Sequence, residues 1–342
     1  MSRRFRVLSA AIVTVVLAVT SGCSSGADDA SASSPSGGGK TAKVTYVTAF
    51  GAVGRDAFVW LAKEKGFFTE AGIDIDIQKG AGNVQNLTAI KADQAQFAAL
   101  DFTGAVIQAG LGKFTDWKAV AAVHQQTLVS IMTTADTGIK TPPDLKGKTI
   151  ATGAGSVSEL LFPAYAKLAG LDPATVKIQG AQPTALNGLM AQRKVDGLST
   201  FLLSKKALET TSKKEVVVMP YSTYLGDLYG NAIITKPSLI SSDPDLVKRF
   251  TTASLKGLQY TIDHPQEAAE ILHKAEPTSA VPAAIGEIEA MKPYIAPPGG
   301  APIGSLDQNR VAKSIAILAG AGLTDKTLTP EAIADFTVVA QS

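Results

Sequence analysis

Apolar positions in this chain fall into short runs that alternate with segments of helical spacing, beginning near residue 43. Residues 43–49 (KVTYVTA) read as a strand. Residues 56–65 (DAFVWLAKEK) read as a helix opened by Asp56 and closed by Gly66, with Lys63 and Lys65 in the last turn, where the helix dipole favours cations. The run IDIDI at 73–77 alternates strictly, so only one of its faces is apolar. Central parallel strands are buried on both faces, which places this one at a sheet edge. A helix from about Val84 to Lys91, a strand at 96–100 (QFAAL), a helix from Thr103 and strands near 119–123 and 128–133 continue the alternation.

A second unit follows the turn-rich stretch ADTGIKTPPDLKGK. It reads as strand TIATG, a helix over 157–169 stopped by Gly170, strand TVKIQ, a helix from Pro183 to Arg193, strand DGLST, a helix over 201–211 and strand VVVMP. NAIIT at 231–235 returns as a strand and the remainder is helical. Asp245 to Asp263 is long and amphipathic, Pro265 forces a new start, and Thr329 with Pro330 has N-cap and N1 character. The loop APPGGAPIG at 296–304 punctuates the helical tail, and no repeat of fixed short period is visible. Strand and helix in alternation predict an α/β fold with mainly parallel sheets. A body of about 300 residues suits two domains better than one.

The N-terminus has a different composition. Arg3, Arg4 and Arg6 precede an apolar run from Leu8 to Val19, the pattern of a secretory signal and too short to span ~30 Å of hydrocarbon. Thr20, Ser21 and Gly22 then lead to Cys23, the single cysteine of the chain. This stretch resembles the lipobox of bacterial lipoproteins, which implies a signal over 1–22, a lipidated Cys23 and anchorage to the outer face of the bacterial cell membrane. Thr20 departs from the leucine usual there, and a plain secretory signal with an unpaired thiol is the competing reading. The Arg3–Arg4 pair fits a twin-arginine start, but Phe5 and Arg6 depart from that pattern, so the residues leave the export route open. Residues 24–40 are rich in Ser, Gly, Ala and Asp and cannot bury enough apolar surface to order, so 23–42 is expected to be a tether. Taking the three arginines of the signal from the 32 basic residues leaves 29 against 30 acidic ones, about −1, which gives no reason to expect nucleic acid. With no cysteine beyond Cys23 the body has no disulfide and no thiolate metal site. His124, His264 and His273 are scattered and are expected at surface or strand-end positions rather than as ligands or bases.

Three stretches, WLAKEKGFFTEAGIDIDIQKGAGN, DLKGKTIATGAGS and LNGLMAQRKVDGLST, resemble the signature segments of substrate-binding proteins of ABC importers. The group is the one that includes alkanesulfonate and taurine binders and binders of thiamine-pyrimidine precursors. The resemblance covers roughly 43–320; at 91–94, KADQ stands where a glycine-containing turn is usual. It implies a periplasmic-binding-protein type II fold: two lobes, each a mainly parallel sheet flanked by helices, joined by two crossover strands and closing on a solute. Lobe one would be 43–133 with 230–342, and lobe two 136–228. It further implies an extracytoplasmic monomer, with a small-molecule solute, an ABC permease and its ATPase as partners, and with no cofactor, no metal and no catalysis.

In open α/β sheets the ligand crevice lies at the carboxyl ends of the strands, where loops feed helix N-termini. After the first strand, FGAVGRD offers Phe50 to stack a ring and Arg55 to meet an acceptor or anion. After the edge strand, KGAGN offers Gly80 and Gly82 for close backbone approach and Asn83 as an amide. Asp101, Phe102 and Thr103 follow the third strand. From lobe two come Gly155 and Ser156 of TGAGSVSE, and Thr200 and Phe201. Tyr221, Tyr224 and Tyr229 lie within nine residues, and Tyr224 and Tyr229 are candidates to sandwich a flat ring. Each candidate has a structural alternative: Arg55 as partner of Asp56 or another carboxylate, Asp101 as a helix cap, Gly153 and Gly155 as turn residues, the tyrosines as lobe packing. GAG lacks the spacing and lysine of a P-loop, so no nucleotide triphosphate is expected.

Ser156 and Glu159 have capping-box spacing, in which the serine oxygen takes the Glu159 N–H and the glutamate returns to the Ser156 N–H. Donors so engaged make this helix start a poor sulfonate site, which favours a neutral or weakly charged heteroaromatic such as a thiamine pyrimidine precursor. Sulfonates, taurine or nitrate are the alternative solutes. A pyrimidine-synthesis type of enzyme is a further alternative, but the eukaryotic branch of this fold that makes the thiamine pyrimidine carries a cysteine cluster and uses a histidine. Here the body has no cysteine, and no histidine is expected after a strand end in the first lobe's cleft positions. A surface adhesin or sensor built on the same two lobes is the third class.

Overall fold

The computed structural model describes residues 41–324 and 327–339. The signal, Cys23 and most of the tether expected at the N-terminus lie outside the described residues. Ten strands run in chain order: β1 (Ala42–Val47), β2 (Ile73–Gln78), β3 (Phe97–Asp101), β4 (Lys118–Ala122), β5 (Val129–Thr134), β6 (Thr149–Gly153), β7 (Lys177–Ala181), β8 (Gly197–Phe201), β9 (Val216–Pro220) and β10 (Asn231–Thr235). They form two five-stranded sheets, in the orders β2-β1-β3-β10-β4 and β7-β6-β8-β5-β9. Each sheet has one strand antiparallel to its neighbours, β10 in the first and β5 in the second. These two strands follow the stretches where the chain crosses between sheets. The arrangement is the α/β fold that the alternation of elements predicts, in the two lobes that the family resemblance implies.

Strand composition accounts for strand position. β2 is at the edge, with Ile73 and Ile75 buried and Asp74 and Asp76 exposed. β3, β5 and β10 are buried at every residue, as inner strands covered on both faces are. One apolar cluster covers the inner face of both sheets, running from Val47, Leu100 and Ile234 through Tyr229 and Tyr221 to Ile131, Ile150 and Leu161. The opposite face of the first sheet is covered by helices Ala57–Glu64, Pro244–Asp263, Pro265–Ala275 and Val281–Met291, and that of the second by a smaller cluster around Met132, Leu186 and Leu198.

Three local features refine the sequence reading. The KADQ turn works without glycine because Asp93 takes the left-handed conformation itself (φ 56°), which a short polar side chain tolerates, and its carboxylate meets Lys236. Arg193 does the same at the matching turn of lobe two (φ 55°). Phe201 is the last residue of β8 rather than the first of a helix, and the α-helix starts only at Lys205.

The two crossings are clamped from the helical tail. The Arg310 guanidinium donates to the carbonyls of Gln125 and Gly226 and lies 4.0 Å over the Tyr229 ring. The Ser314 hydroxyl donates to the Asp227 carbonyl at 2.7 Å. Helix Val281–Met291 reaches both lobes. It lies against Gly54 so closely that a Cβ there would fall 2.3 Å from the Ala284 carbonyl oxygen. At Gly286 a Cβ would fall 3.2 Å from Lys206 of lobe two. Replacing Gly54 with alanine is expected to force this helix outward and to lower the unfolding free energy by about 1–3 kcal/mol, read by urea denaturation.

Candidate functional site

The loop after β1 holds the centre of the site. It is fastened to the loop after β2 by the Gly51 N–H to the Gly80 carbonyl (2.8 Å) and the Gly82 N–H to the Ala49 carbonyl (3.2 Å). The buried Asn86 amide donates to the Thr48 and Ala99 carbonyls at 2.8 and 2.7 Å, tying the ends of β1 and β3 together. Asp56 stands at the helix N-cap position but makes no cap bond. Its Oδ1 instead accepts from the Ala49 N–H at 3.1 Å, bracing the loop from below.

Arg55 projects from this brace, its side chain 14% exposed. Its Nε lies 3.7 Å from Asp56 Oδ2, an attraction of charges without a hydrogen bond. Its backbone N–H donates to Glu287 of helix Val281–Met291 at 3.3 Å. Its guanidinium carbon stands 5.8 Å from the centre of the Phe201 ring, so the cation faces an aromatic of the other lobe. Asp101 caps the next helix, its Oδ1 accepting from the Gly104 N–H at 2.7 Å. His124 follows β4 and is fully buried, with Nδ1 accepting from the Asn231 N–H at 3.3 Å.

These groups are electrostatically strained by burial. Desolvation raises the Asp101 carboxyl to about 7, against the Gly104 N–H and the Arg55 charge, which oppose it. Desolvation, reinforced by the Arg55 charge, lowers the His124 imidazole to about 3. Burial also raises Asp56 and Glu287, with Arg55 acting in the other direction. Arg55 Nε, Asp56 Oδ2, Asp101 Oδ2 and His124 Nε2 are all buried without a hydrogen-bond partner. Such groups are rare in a folded interior, and a ligand or an ordered water would pair them. Among the described residues no group of three His, Cys, Asp or Glu side chains is placed to hold a metal ion.

Of the residues singled out from the sequence, the structure brings Arg55, Asp101 and Phe201 together. Thr200 precedes Phe201 on β8 and is half-buried. Phe50 is exposed at 46% and bridges to Ala81, with Gly82 (φ 99°) beside its ring. Asn83 spends both ends of its amide on the Asp101 backbone, at 2.7 and 3.1 Å, and so positions Asp101.

Phe102, Thr103 and Tyr229 are placed elsewhere. Phe102 is buried edge-on to Trp117 and Tyr229, and the Thr103 hydroxyl donates to the Tyr229 carbonyl at 2.9 Å. Tyr229 has one face under Arg310, its edge against Phe102 and its hydroxyl accepting from the Asp307 N–H, which leaves no face for a solute. Tyr221 is buried too, stacked on Tyr165 at 4.0 Å. Tyr224 alone of the three is exposed, edge-on to Tyr165. Ser156 caps its helix, but Glu159 bonds the Gly155 N–H rather than that of Ser156, because Gly155 in the left-handed region (φ 70°) turns its amide toward the helix.

Two site residues escaped the sequence reading. His124 stands just beyond the apolar run 119–123, so a histidine does follow a strand end of the first lobe, contrary to expectation. The strand-end rule applied to β4 would have found it. Glu287 had no local signal, since nothing in its helix shows that it docks on the β1 loop.

The chain belongs to the NMT1/THI5-like family, whose profile matches residues 56–268. It is 23% identical over 218 residues to the riboflavin-binding protein RibY of Chloroflexus aurantiacus, covering 62% of this chain and 60% of that protein. It is 23% identical over 216 residues to a formylaminopyrimidine-binding protein of Halalkalibacterium halodurans, covering 63% and 65%. The chain thus spans less than two thirds of the length of these curated relatives. The fold is that of the periplasmic aliphatic sulphonate binding protein SsuA from Escherichia coli, with a TM-score of 0.69 at 16% identity over 85% of this chain and 91% of that one.

Asp101 and His124 pull stability in opposite directions with pH. A carboxyl raised in the folded state favours folding below about pH 4 and loses that contribution as pH rises to about 7. An imidazole held neutral favours folding above its ordinary value near 6.5 and loses that contribution as pH falls toward 3. Relative to the parent, Asp101→Asn is expected to make stability rise more steeply between pH 4 and 6.5, by up to about 1.4 kcal/mol per unit. His124→Phe is expected to change the slope by a similar amount in the other direction. Urea denaturation at a series of pH values measures both.

Proposed function

We propose that the protein is an extracytoplasmic solute-binding lipoprotein that captures a small heteroaromatic molecule between its lobes and delivers it to an ABC permease and its ATPase. The observation that carries this reading is the set of orphaned polar atoms around Arg55, at the carboxyl ends of β1, β3 and β4, with Phe201 of the second lobe facing the guanidinium. Polar groups at strand ends, closed over by the other lobe, are what capture of a small solute requires. Family membership supports the reading. So do the names of the two relatives, each of which specifies a solute containing a nitrogen ring.

A sulfonate, taurine or nitrate is the lesser alternative. The Gly155 N–H that would meet an oxyanion at the second lobe is held by Glu159, and Arg55 already faces Asp56 and Glu287. Binding rather than catalysis is supported by the names of the same relatives and by a body without cysteine. The lobes would move as 43–133 with 230–342 against 136–228, and a solute shifts them toward the shut form only through contacts that differ between the two states.

A thermal-shift screen of the mature chain tests the reading. Riboflavin or a formylaminopyrimidine is expected to raise the melting temperature, by the equivalent of about 2.7 kcal/mol at a hundred times the dissociation constant. A rise with taurine or nitrate and none with the ring compounds would replace the proposed solute. Anchorage is tested separately: Cys23→Ser is expected to move the protein from the membrane fraction to the soluble fraction of cells.

A further inference from the structure

The orphaned atoms around Arg55 differ in what they require of a partner. His124 is fixed in one tautomer, because its Nδ1 accepts the Asn231 N–H; Nε2 therefore carries the hydrogen and is a buried donor with no acceptor. Asp101 is the converse. Its Oδ1 is taken by the Gly104 N–H, and Oδ2 is a buried acceptor with no donor.

The fold sets these two on the strands that flank β10. Asn231, the first residue of β10, pairs with Asp101 on one side and holds His124 through backbone and ring on the other. One strand therefore separates them, roughly 10 Å backbone to backbone. The intervening turn carries no side chain at Gly230, where a Cβ would fall 2.7 Å from the Gln126 carbonyl oxygen and 2.9 Å from the His124 Cβ. A donor and an acceptor left unpaired in a buried site disfavour the empty state, and a ligand that matches both relieves it.

Charge narrows the choice. Arg55 faces Asp56 and Glu287 and acts on Asp101, so carboxylates outnumber the guanidinium around the site. A permanent anion entering it would have to compete with these acids for a single cation. The Phe201 ring adds a flat wall from the other lobe.

We infer that Asp101 and His124 are the pair that reads the solute, and that the solute is an uncharged or cationic nitrogen heterocycle. It presents an N–H to Asp101 Oδ2 and a ring nitrogen or carbonyl to His124 Nε2. This rests on the solute-binding reading above and adds which groups of the ring are recognised, by which atoms.

Isothermal titration of the mature chain with riboflavin and formylaminopyrimidine as ring probes, and ethanesulfonate as the anion, tests it. Asp101→Asn keeps an oxygen for the Gly104 N–H while turning the free acceptor into a donor. His124→Phe keeps a ring and removes the donor. The parent is expected to bind at least one ring probe and not ethanesulfonate, and each variant to bind that probe at least tenfold more weakly. Should Asp101→Asn fail to fold, Asp101→Ser, which also caps the helix, takes its place. Affinities within threefold of the parent in both variants overturn the inference and leave solute capture standing, as does a parent that prefers ethanesulfonate. No heat from any of the three probes with the parent overturns the inference and the solute-capture reading together.

Discussion

A guanidinium withdrawn from water needs opposite charge close by, and the site is organised around meeting that need for Arg55. Asp56 lies beside it in sequence, Glu287 arrives from the helical tail, and Asp101 comes from the end of β3. Each of these carboxylates is itself partly or wholly desolvated, so removing any of them leaves Arg55 less compensated, and removing Arg55 leaves several acids buried without a counterion. The loop after β1, the helix Val281–Met291 and the cap of the helix after β3 are therefore tied together by charge as well as by packing. Phe201, against the same cation, extends that dependence to the second lobe.

Around this centre the two lobes are built alike. Both have the same pattern of strand order, with one antiparallel strand in the fourth position counted from the edge. Both engage a backbone amide of their leading strand with a polar side chain that precedes a neighbouring strand: Gln96 accepts from the Thr45 N–H and Asp196 from the Thr149 N–H, each at 2.8 Å. Both use a left-handed non-glycine residue to leave the helix before that strand, Asp93 in one case and Arg193 in the other. The correspondence is geometric, and no short period in the sequence announces it. A shared apolar cluster and the Arg310 clamp link the lobes at the crossings.

The fold was legible because its signals are local. Alternation at IDIDI identified the edge strand, apolar runs identified the other strands, and Pro, Gly and Asp marked most of the helix ends within a few residues. The site was legible only as far as a strand-end rule reaches. That rule named Arg55, Asp101 and Phe201, and it also named Phe102 and Thr103, because position at a strand end does not say which way a side chain turns; Tyr229 was named from the clustering of tyrosines, which is equally silent on direction. Phe102 and Tyr229 turned inward since each found an aromatic or cationic partner there. His124 was passed over as a bland strand-end histidine, although the same rule reaches it. Glu287 was out of reach, because its role depends on how a helix more than two hundred positions along the chain packs against the β1 loop.

The exchange of strands between the lobes has a consequence for biosynthesis. Among the strands β4 pairs with β10 alone, as Ala121 with Ile233, its other edge meeting a single bridge at Ala334, whereas the second sheet is made entirely from residues 129–220. A chain emerging N-terminus first can thus complete its later-coded lobe while the earlier-coded one still waits, with β3 and β4 lacking the strand that must lie between them. Until that strand arrives their exposed edges would be vulnerable to mispairing, so slow delivery of the C-terminal third is a point at which nascent material could be lost to aggregation.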